Sequence, residues 1–237
     1  MVKGMKVMRM MKVLGVFAQL SLVLLISAKV FAQVDGVEYD WELKRDKVGI
    51  KVFTSPVKGS KYKAVRAEMQ VKASVNSLVG LVFDSAACPK WADLCKEQRL
   101  VEAVSPSELY VYVYNDIPFP VKDRDVLAHL VWEYDSAKKK VTMSSTATVG
   151  RLDKTKAVRI ENAVANWHFT ALGDGETLVE NFAHIDPNGP TPAWVTNLLL
   201  VDSPFKTLKR MRKIVESGKY AEYQPEFIPL EAEEASP

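Results

Sequence analysis

The side chains that could do chemistry in this chain are few and scattered. Arg124 and Asp125 stand together at the start of a strand pattern, directly after the turn made by Pro118 and Pro120. Two readings of that pair stand. The planar guanidinium of Arg124 can anchor a ligand hydroxyl or phosphate, or the two residues can be a structural pair that fixes the start of the strand. Tyr110, Tyr112 and Tyr114 alternate along the preceding strand pattern and share one face. Their hydroxyls either enter a cavity whose apolar wall their rings supply, or face outward. His129, His168 and His184 each stand alone in or near a strand, where an imidazole is more often packed or exposed than catalytic. Cys88 and Cys95 lie seven apart, roughly 10 Å within an unbroken helix and too far for a disulfide. Pro89 loosens that constraint by placing Cys88 at or before the first helical residue. In an oxidising compartment, a Cys88–Cys95 disulfide and two buried thiols both remain open. Two cysteines make a poor zinc site, and neither a metal nor a cofactor is expected. No nucleophile elbow, phosphate loop or metal-ligand cluster occurs, so the chemistry on offer is binding by apolar surface rather than catalysis.

The start of the chain bears on where this binding would occur. Lys3, Lys6, Arg9 and Lys12 precede the apolar run Val13 to Ile26, and Val30-Phe31-Ala32 has small or aliphatic residues where a signal peptidase reads. That order predicts a secretory signal over residues 1–32, cleaved after Ala32, with an uncleaved anchor as the alternative. The segment holds five basic residues and no acid, so 27 of the 32 Lys and Arg remain against 29 Asp and Glu. A net charge of about −2 gives no footprint for nucleic acid. The expected location is outside the cytoplasm, in the periplasm if the source is Gram-negative.

The remaining 205 residues suit one domain with a substantial core. Between Trp41 and Val71 apolar and polar residues alternate in Gly49–Thr54 and again in Tyr62–Val71 around a turn at Lys58-Gly59-Ser60, which predicts a hairpin. Ser74 caps a helix bearing Leu78, Val79, Val82 and Phe83, and a second short helix is expected to hold Trp91, Leu94 and Cys95. Strand patterns follow over 99–104, 109–115, 125–134, 140–147, 157–172 and 176–186, with no crossover helix between them. The fold class is therefore α+β, with a curved antiparallel sheet.

One long helix must cover that sheet. Trp194, Leu198, Val201, Phe205, Leu208 and Val215 recur at steps of three, four and seven over Thr191 to Ser217, a length of about 40 Å. Thr191 is the expected N-cap, Gly218 follows the end, and Pro204 predicts a kink or hinge. Lys206, Lys209, Arg210, Arg212 and Lys213 crowd the last turns, where cations complement the helix dipole and can touch an anionic membrane surface. Residues 220–237, acidic and proline-bearing, read as a mostly disordered tail.

Several motifs in this order resemble the START family of lipid-transfer domains. They are Trp41-Glu-Leu-Lys-Arg-Asp with Gly49-Ile-Lys-Val-Phe, then Ile117-Pro-Phe-Pro-Val-Lys-Asp-Arg-Asp, Val158-Arg-Ile-Glu-Asn, and Asp186-Pro-Asn-Gly-Pro-Thr-Pro. The resemblance implies a helix-grip fold over residues 33–219, in which the sheet wraps the C-terminal helix around an internal hydrophobic tunnel. It implies a monomeric carrier, not an enzyme, that takes one apolar lipid between membranes and touches the membrane surface transiently. Access would involve the C-terminal helix and the loop Gly150-Arg-Leu-Asp-Lys-Thr-Lys. Arg124, Tyr112, Leu130, Trp194, Leu198, Val201 and Phe205 are the expected ligand positions. Leu130 stands where sterol-carrying members place a second arginine, so that anchoring pair is absent here. The competing readings are a cyclase or isomerase using Arg124, a tyrosine and a histidine, and a periplasmic lipid sensor.

Overall fold

In the computed structural model, residues 39–189 and 191–229 are described, without the side chains of Ala193 and Trp194. The expected signal segment and residues 230–237 of the expected tail lie outside the described residues.

The strands are β1 (Glu42–Lys47), β2 (Ile50–Ser55), β3 (Ala64–Val71), β4 (Cys95–Ser105), β5 (Glu108–Asn115), β6 (Arg124–Asp135) and β7 (Lys140–Thr148). Short β8 (Val158–Arg159), then β9 (Asn162–Gly173) and β10 (Glu176–Asp186), complete them. They form one sheet in the order β1-β2-β3-β10-β9-β7-β6-β5-β4, antiparallel except that β8 runs parallel to β6. The β1–β2 turn needs Val48 and Gly49 at positive φ, +50° and +69°. Helices α1 (Val75–Phe83) and α2 (Cys88–Trp91) join β3 to β4, and α3 (Ala193–Asn197) and α4 (Ser203–Val215) follow β10. Ser74 caps α1, its hydroxyl accepting from the Ser77 amide.

The period-two pattern sets the buried face. On β5, Leu109 and Val111 are buried while the tyrosines take the opposite face; Ile50 and Val52 on β2 and Val179 on β10 are inaccessible. The final helix packs over this surface through Leu208, Met211 and Val215, all buried.

Four expectations are corrected. First, the break expected at Pro204 is present but takes the form of a π-helical turn, Leu198–Asp202, in which the Ser203 amide donates to Leu198 O, so the apolar face does not run on as one stripe. Pro204 has no amide hydrogen to continue an α ladder, and the wider turn before it absorbs the mismatch. One extra residue per turn rotates the flanking faces by about 100° against each other. The expected single stripe is therefore split, and Met211 joins Leu208 and Val215 in its place. Second, α2 ends at Trp91; Leu94 adopts φ +67° and Cys95 begins β4. The chain doubles back there, so Cys88 and Cys95 come within 6.0 Å at Cα and are joined by a disulfide. Third, the stretch read as one strand over 157–172 is two, β8 and β9.

Fourth, residues 220–229 are not a disordered tail. Gly218, at φ +78°, turns the chain back over α1, where Tyr220 and Ile228 are buried. Phe227 packs 5.8 Å from the Trp132 ring and 6.1 Å from that of Phe83. Tyr220 donates to Asp84 Oδ2 at 2.7 Å, and Asn76 to Gln224 at 2.8 Å. The acidic composition concealed four apolar side chains, enough to strap the segment to uncovered surface. Tyr223 lies so close to Gly80 that an added Cβ would sit 2.7 Å from its Cγ. Gly80→Ala would ordinarily stabilise a helix interior. Here it is expected to destabilise by about 1–3 kcal/mol in urea titrations, and the sign should reverse in a Tyr223→Gly background, which removes the Cβ as well as the ring. A stabilising Gly80→Ala in the otherwise unchanged chain would contradict the seated strap.

Candidate ligand-binding site

A cavity of about 880 Å³ lies between the concave face of the sheet and the final helical segment. Val65 of β3, Trp167 of β9 and Ala183 of β10 form one wall; Val195, Leu200 and Val201 form the other. Ile117 and Val121 of the β5–β6 loop frame it further, and no residue of the Gly150–Lys156 loop lines it among those described. Two polar side chains interrupt the apolar lining. Thr54, almost inaccessible, leaves its hydroxyl without a partner, and Asn181 donates to Asn166 O at 3.3 Å. Both break alternations that point into the barrel-like curve: Ile50, Val52, Thr54 on β2 and Val179, Asn181, Ala183 on β10. That interruption was present in the sequence, and Thr54, Asn181, Trp167, Val195 and Leu200 were all missed as cavity residues.

Of the expected ligand positions, Arg124 and Val201 line this cavity, and Tyr112, Leu130, Leu198 and Phe205 are not among its described lining residues. The Arg124 side chain is buried with its nitrogens engaged by backbone: Nε donates to Pro187 O at 3.0 Å, a terminal nitrogen to Asn188 O at 3.3 Å, and the other to Lys122 O. It fastens the turn after β10 to the start of β6. Arg124 does not pair with Asp125, because neighbouring residues on a strand point to opposite faces. Tyr112 is directed away from the cavity, Tyr114 donates to Asp123 at 2.6 Å, and Tyr110 stacks on His129 at 4.7 Å. That hydrogen bond to the Asp123 carboxylate pushes the Tyr114 hydroxyl up to about 12. Leu130 lines a second cleft with Trp132 and Phe227. Leu198 lies beside the cavity wall, while Phe205 packs under the Arg45 guanidinium, 5.0 Å from its ring centroid. The extra residue of the π turn is what replaces Leu198 by Leu199 and Leu200. The Trp194 side chain lies outside the described residues.

The three histidines are engaged elsewhere: His129 with Glu108 at 2.8 Å, His168 with Thr142 at 3.1 Å and His184 with Ser60 at 3.1 Å. Burial, with help from the Lys140 charge, lowers His168 to about 4, so it is neutral at neutral pH. Arg124 and Tyr62 line the cavity, but none of the three histidines of the cyclase reading is among its described lining residues. Among the described residues, no group of three or more His, Cys, Asp or Glu could hold a metal ion.

The charges around the cavity are uneven. Lys44, Lys61, Lys63, Arg124 and Asp93 border it. Asp93 faces Arg210 at 3.1 Å and Lys206 at 3.9 Å, and its amide donates to the Thr207 hydroxyl at 3.0 Å. These contacts, beside the disulfide, staple the turn after α2 to α4. Arg212 similarly donates to Val48 O at 2.7 Å and Gly49 O at 3.2 Å. Three of the five cations expected to serve the helix end thus tie it to other elements, Lys206 and Arg210 to the turn after α2 and Arg212 to the β1–β2 turn.

On the face away from the cavity, Asp125 is fully buried and organises the loop before β8. It accepts from Arg159 Nε at 2.7 Å, from the Thr155 hydroxyl at 2.7 Å and from Tyr112 at 3.2 Å. Burial raises its pKa, but Arg159, Thr155 and Tyr112 together outweigh burial and hold the carboxyl below the ordinary aspartate value. A lowered native pKa stabilises the fold fully above the unfolded value of about 3.9, and that contribution disappears as pH falls through the native value. Asp125→Asn should cost about 3–5 kcal/mol at pH 7, because it leaves the Arg159 charge nearly buried and unpaired. In urea titrations the gap between Asp125→Asn and the unchanged chain should narrow as the pH drops below about 4.

With this architecture in view, the comparisons are specific. The START domain family model matches residues 27–219. A Pseudomonas aeruginosa chain carrying the name uncharacterized protein PA1579 is 33% identical over 193 residues, which span 81% of this chain and 95% of that one. Among solved structures, the STAR-related lipid transfer protein of Xanthomonas axonopodis superposes with a TM-score of 0.68 at 30% identity, covering 74% of this chain and 98% of that one. Human StAR-related lipid transfer protein 5 also gives 0.68, at 16% identity, over 75% of this chain and 87% of its own, a likeness of fold. A curved sheet gripping a C-terminal helix, matched over most of its length to one family model, places this chain in the START domain family.

Proposed function

We propose that this protein binds one apolar lipid in the cavity and carries it between membranes. The observation that carries the reading is the cavity itself, walled on one side by the sheet and on the other by Val195, Leu200 and Val201. A lipid leaving a bilayer loses its apolar surroundings, and a matched wall restores about 25 cal/mol for each Å² kept from water. Carriage of that kind needs no bond-making chemistry. The name of the Xanthomonas protein, a lipid transfer protein, supports the same reading.

In this proposal the mobile part of the gate is α3 with the π turn, residues 193–202, and the fixed part is α4. The π turn interrupts the α-helical hydrogen-bond ladder and lies beside a proline, and each of these is an established cause of helix bending. By contrast, α4 is held by three buried side chains and by Arg212. The protein works outside the cytoplasm after removal of residues 1–32, a compartment that suits its disulfide.

Native mass spectrometry of protein purified from its own host should show one lipid per chain, and the exported polypeptide should begin near Gln33. Leu200→Trp and Val201→Trp should each weaken lipid binding about ten- to a hundredfold, the equivalent of about 1–3 kcal/mol of overpacking. Leu198→Trp should bind normally. Transfer between labelled vesicles separates a carrier from a sensor: a sensor would retain its lipid in the presence of acceptor vesicles.

A further inference from the structure

We infer that the lipid taken by this cavity carries an acidic head group, met at the mouth by Lys44, Lys61 and Lys63. The inference rests on the lipid-binding reading and narrows its substrate class.

Among the described residues, five charged side chains border the cavity. Arg124 is fully engaged with backbone carbonyls, and Asp93 is matched by Arg210. What remains is three lysines, all exposed, on β1 and on the loop between β2 and β3. Glu42 is the acid beside them: it pairs with Lys44 at 2.5 Å, and Lys44 first and then Lys63 draw its carboxyl below the ordinary glutamate value. It offsets one cation and leaves the mouth positive. This patch runs against the net charge of the chain beyond residue 32, which is slightly negative. Tyr62 links the patch to the turn after β10, lying under Lys61 Nζ at 5.0 Å and reaching Gly189 O with its hydroxyl at 3.5 Å.

Position selects where the ligand's charge would rest. The lysines stand at the solvent edge, while Trp167, Val195 and Leu200 form the apolar interior. A lysine can lay its stem along apolar surface and keep its ammonium in water. An amphiphile entering tail first thus buries its chain and leaves its head among the ammonium groups. Low-dielectric walls beside a patch of one sign focus the field, which favours a negative head over a neutral one. The volume, about 880 Å³, lies within the range of about 300–1,000 Å³ that accommodates one small ligand. A carboxylate or a phosphate monoester on a single apolar tail meets these conditions equally.

The test uses three probes with one tail: laurate, dodecyl phosphate and dodecanol, each competing with a fluorescent apolar dye on the mature chain. At least one acidic probe should bind about five- to tenfold tighter than the alcohol, as three exposed ion pairs would give, and the ratio should fall at high salt. Comparison of the two acids assigns the head as carboxylate or phosphate. In the Lys44→Gln/Lys61→Gln/Lys63→Gln variant the ratio should fall to about one. Glu42→Gln should raise it, which gives an opposite-signed check independent of the triple variant's folding. Equal affinity of all three probes for the unchanged chain would overturn the acidic head while leaving lipid binding intact. An acidic preference that survives the triple substitution would overturn the lysine assignment. Failure of every probe to displace the dye would refute the lipid reading itself.

Discussion

A bent antiparallel sheet has a concave apolar face wider than any one helix, whose diameter is about 10–12 Å. The nine strands in series here create that mismatch, and the remaining elements are arranged around it. Along one part of the face α4 seats Leu208, Met211 and Val215 at full burial. Elsewhere α1 and the 220–229 strap bring Phe83, Tyr223 and Phe227 over Trp132. Over β2, β3, β9 and β10 the covering helix is thin and changes its winding, and the space left there is the cavity.

Rigidity is placed on either side of this gap. The disulfide closes the turn after α2, the Asp93 contacts hold that turn against α4, and Arg212 ties α4 to the β1–β2 turn. On the convex side, Asp125 gathers Tyr112, Thr155 and Arg159 into one buried network. A buried ion pair contributes little to net stability once desolvation is counted, but it penalises every arrangement that separates its members. Its role here is to define the path of the loop before β8. Between these fixtures, in residues 193–202, Asp202 pairs with Arg45 at 2.7 Å.

Electrostatics divides the same way. In the cavity wall Thr54 and Asn181 are neutral and the buried Arg124 is engaged with backbone carbonyls, while burial keeps His168 uncharged within the sheet. Formal charge is confined to the mouth and to residues already paired. Charged contacts at a solvent edge weaken readily with ionic strength, unlike buried ones.

The sequence by itself determined the class of fold, most strand positions and the existence of a long covering helix. Those follow from local periodicity, which every apolar side chain on β2, β5 or β10 reports independently. It also carried the family resemblance through Ile117–Asp125 and Asp186–Pro192. Which residues face the cavity was decided only in three dimensions. Periodicity ran from Leu198 through Phe205 as one stripe, whereas the π turn before Pro204 rotated that stripe and put Leu199, Leu200 and Val201 on the wall. Tyr112 alternated correctly but belonged to the outer face, because alternation defines two faces without saying which is concave. Composition spoke for disorder after Tyr220, while Gly80 and Trp132, distant in sequence, supplied the surface that orders it. Contacts of that kind depend on where separate elements meet, and no local pattern records the meeting.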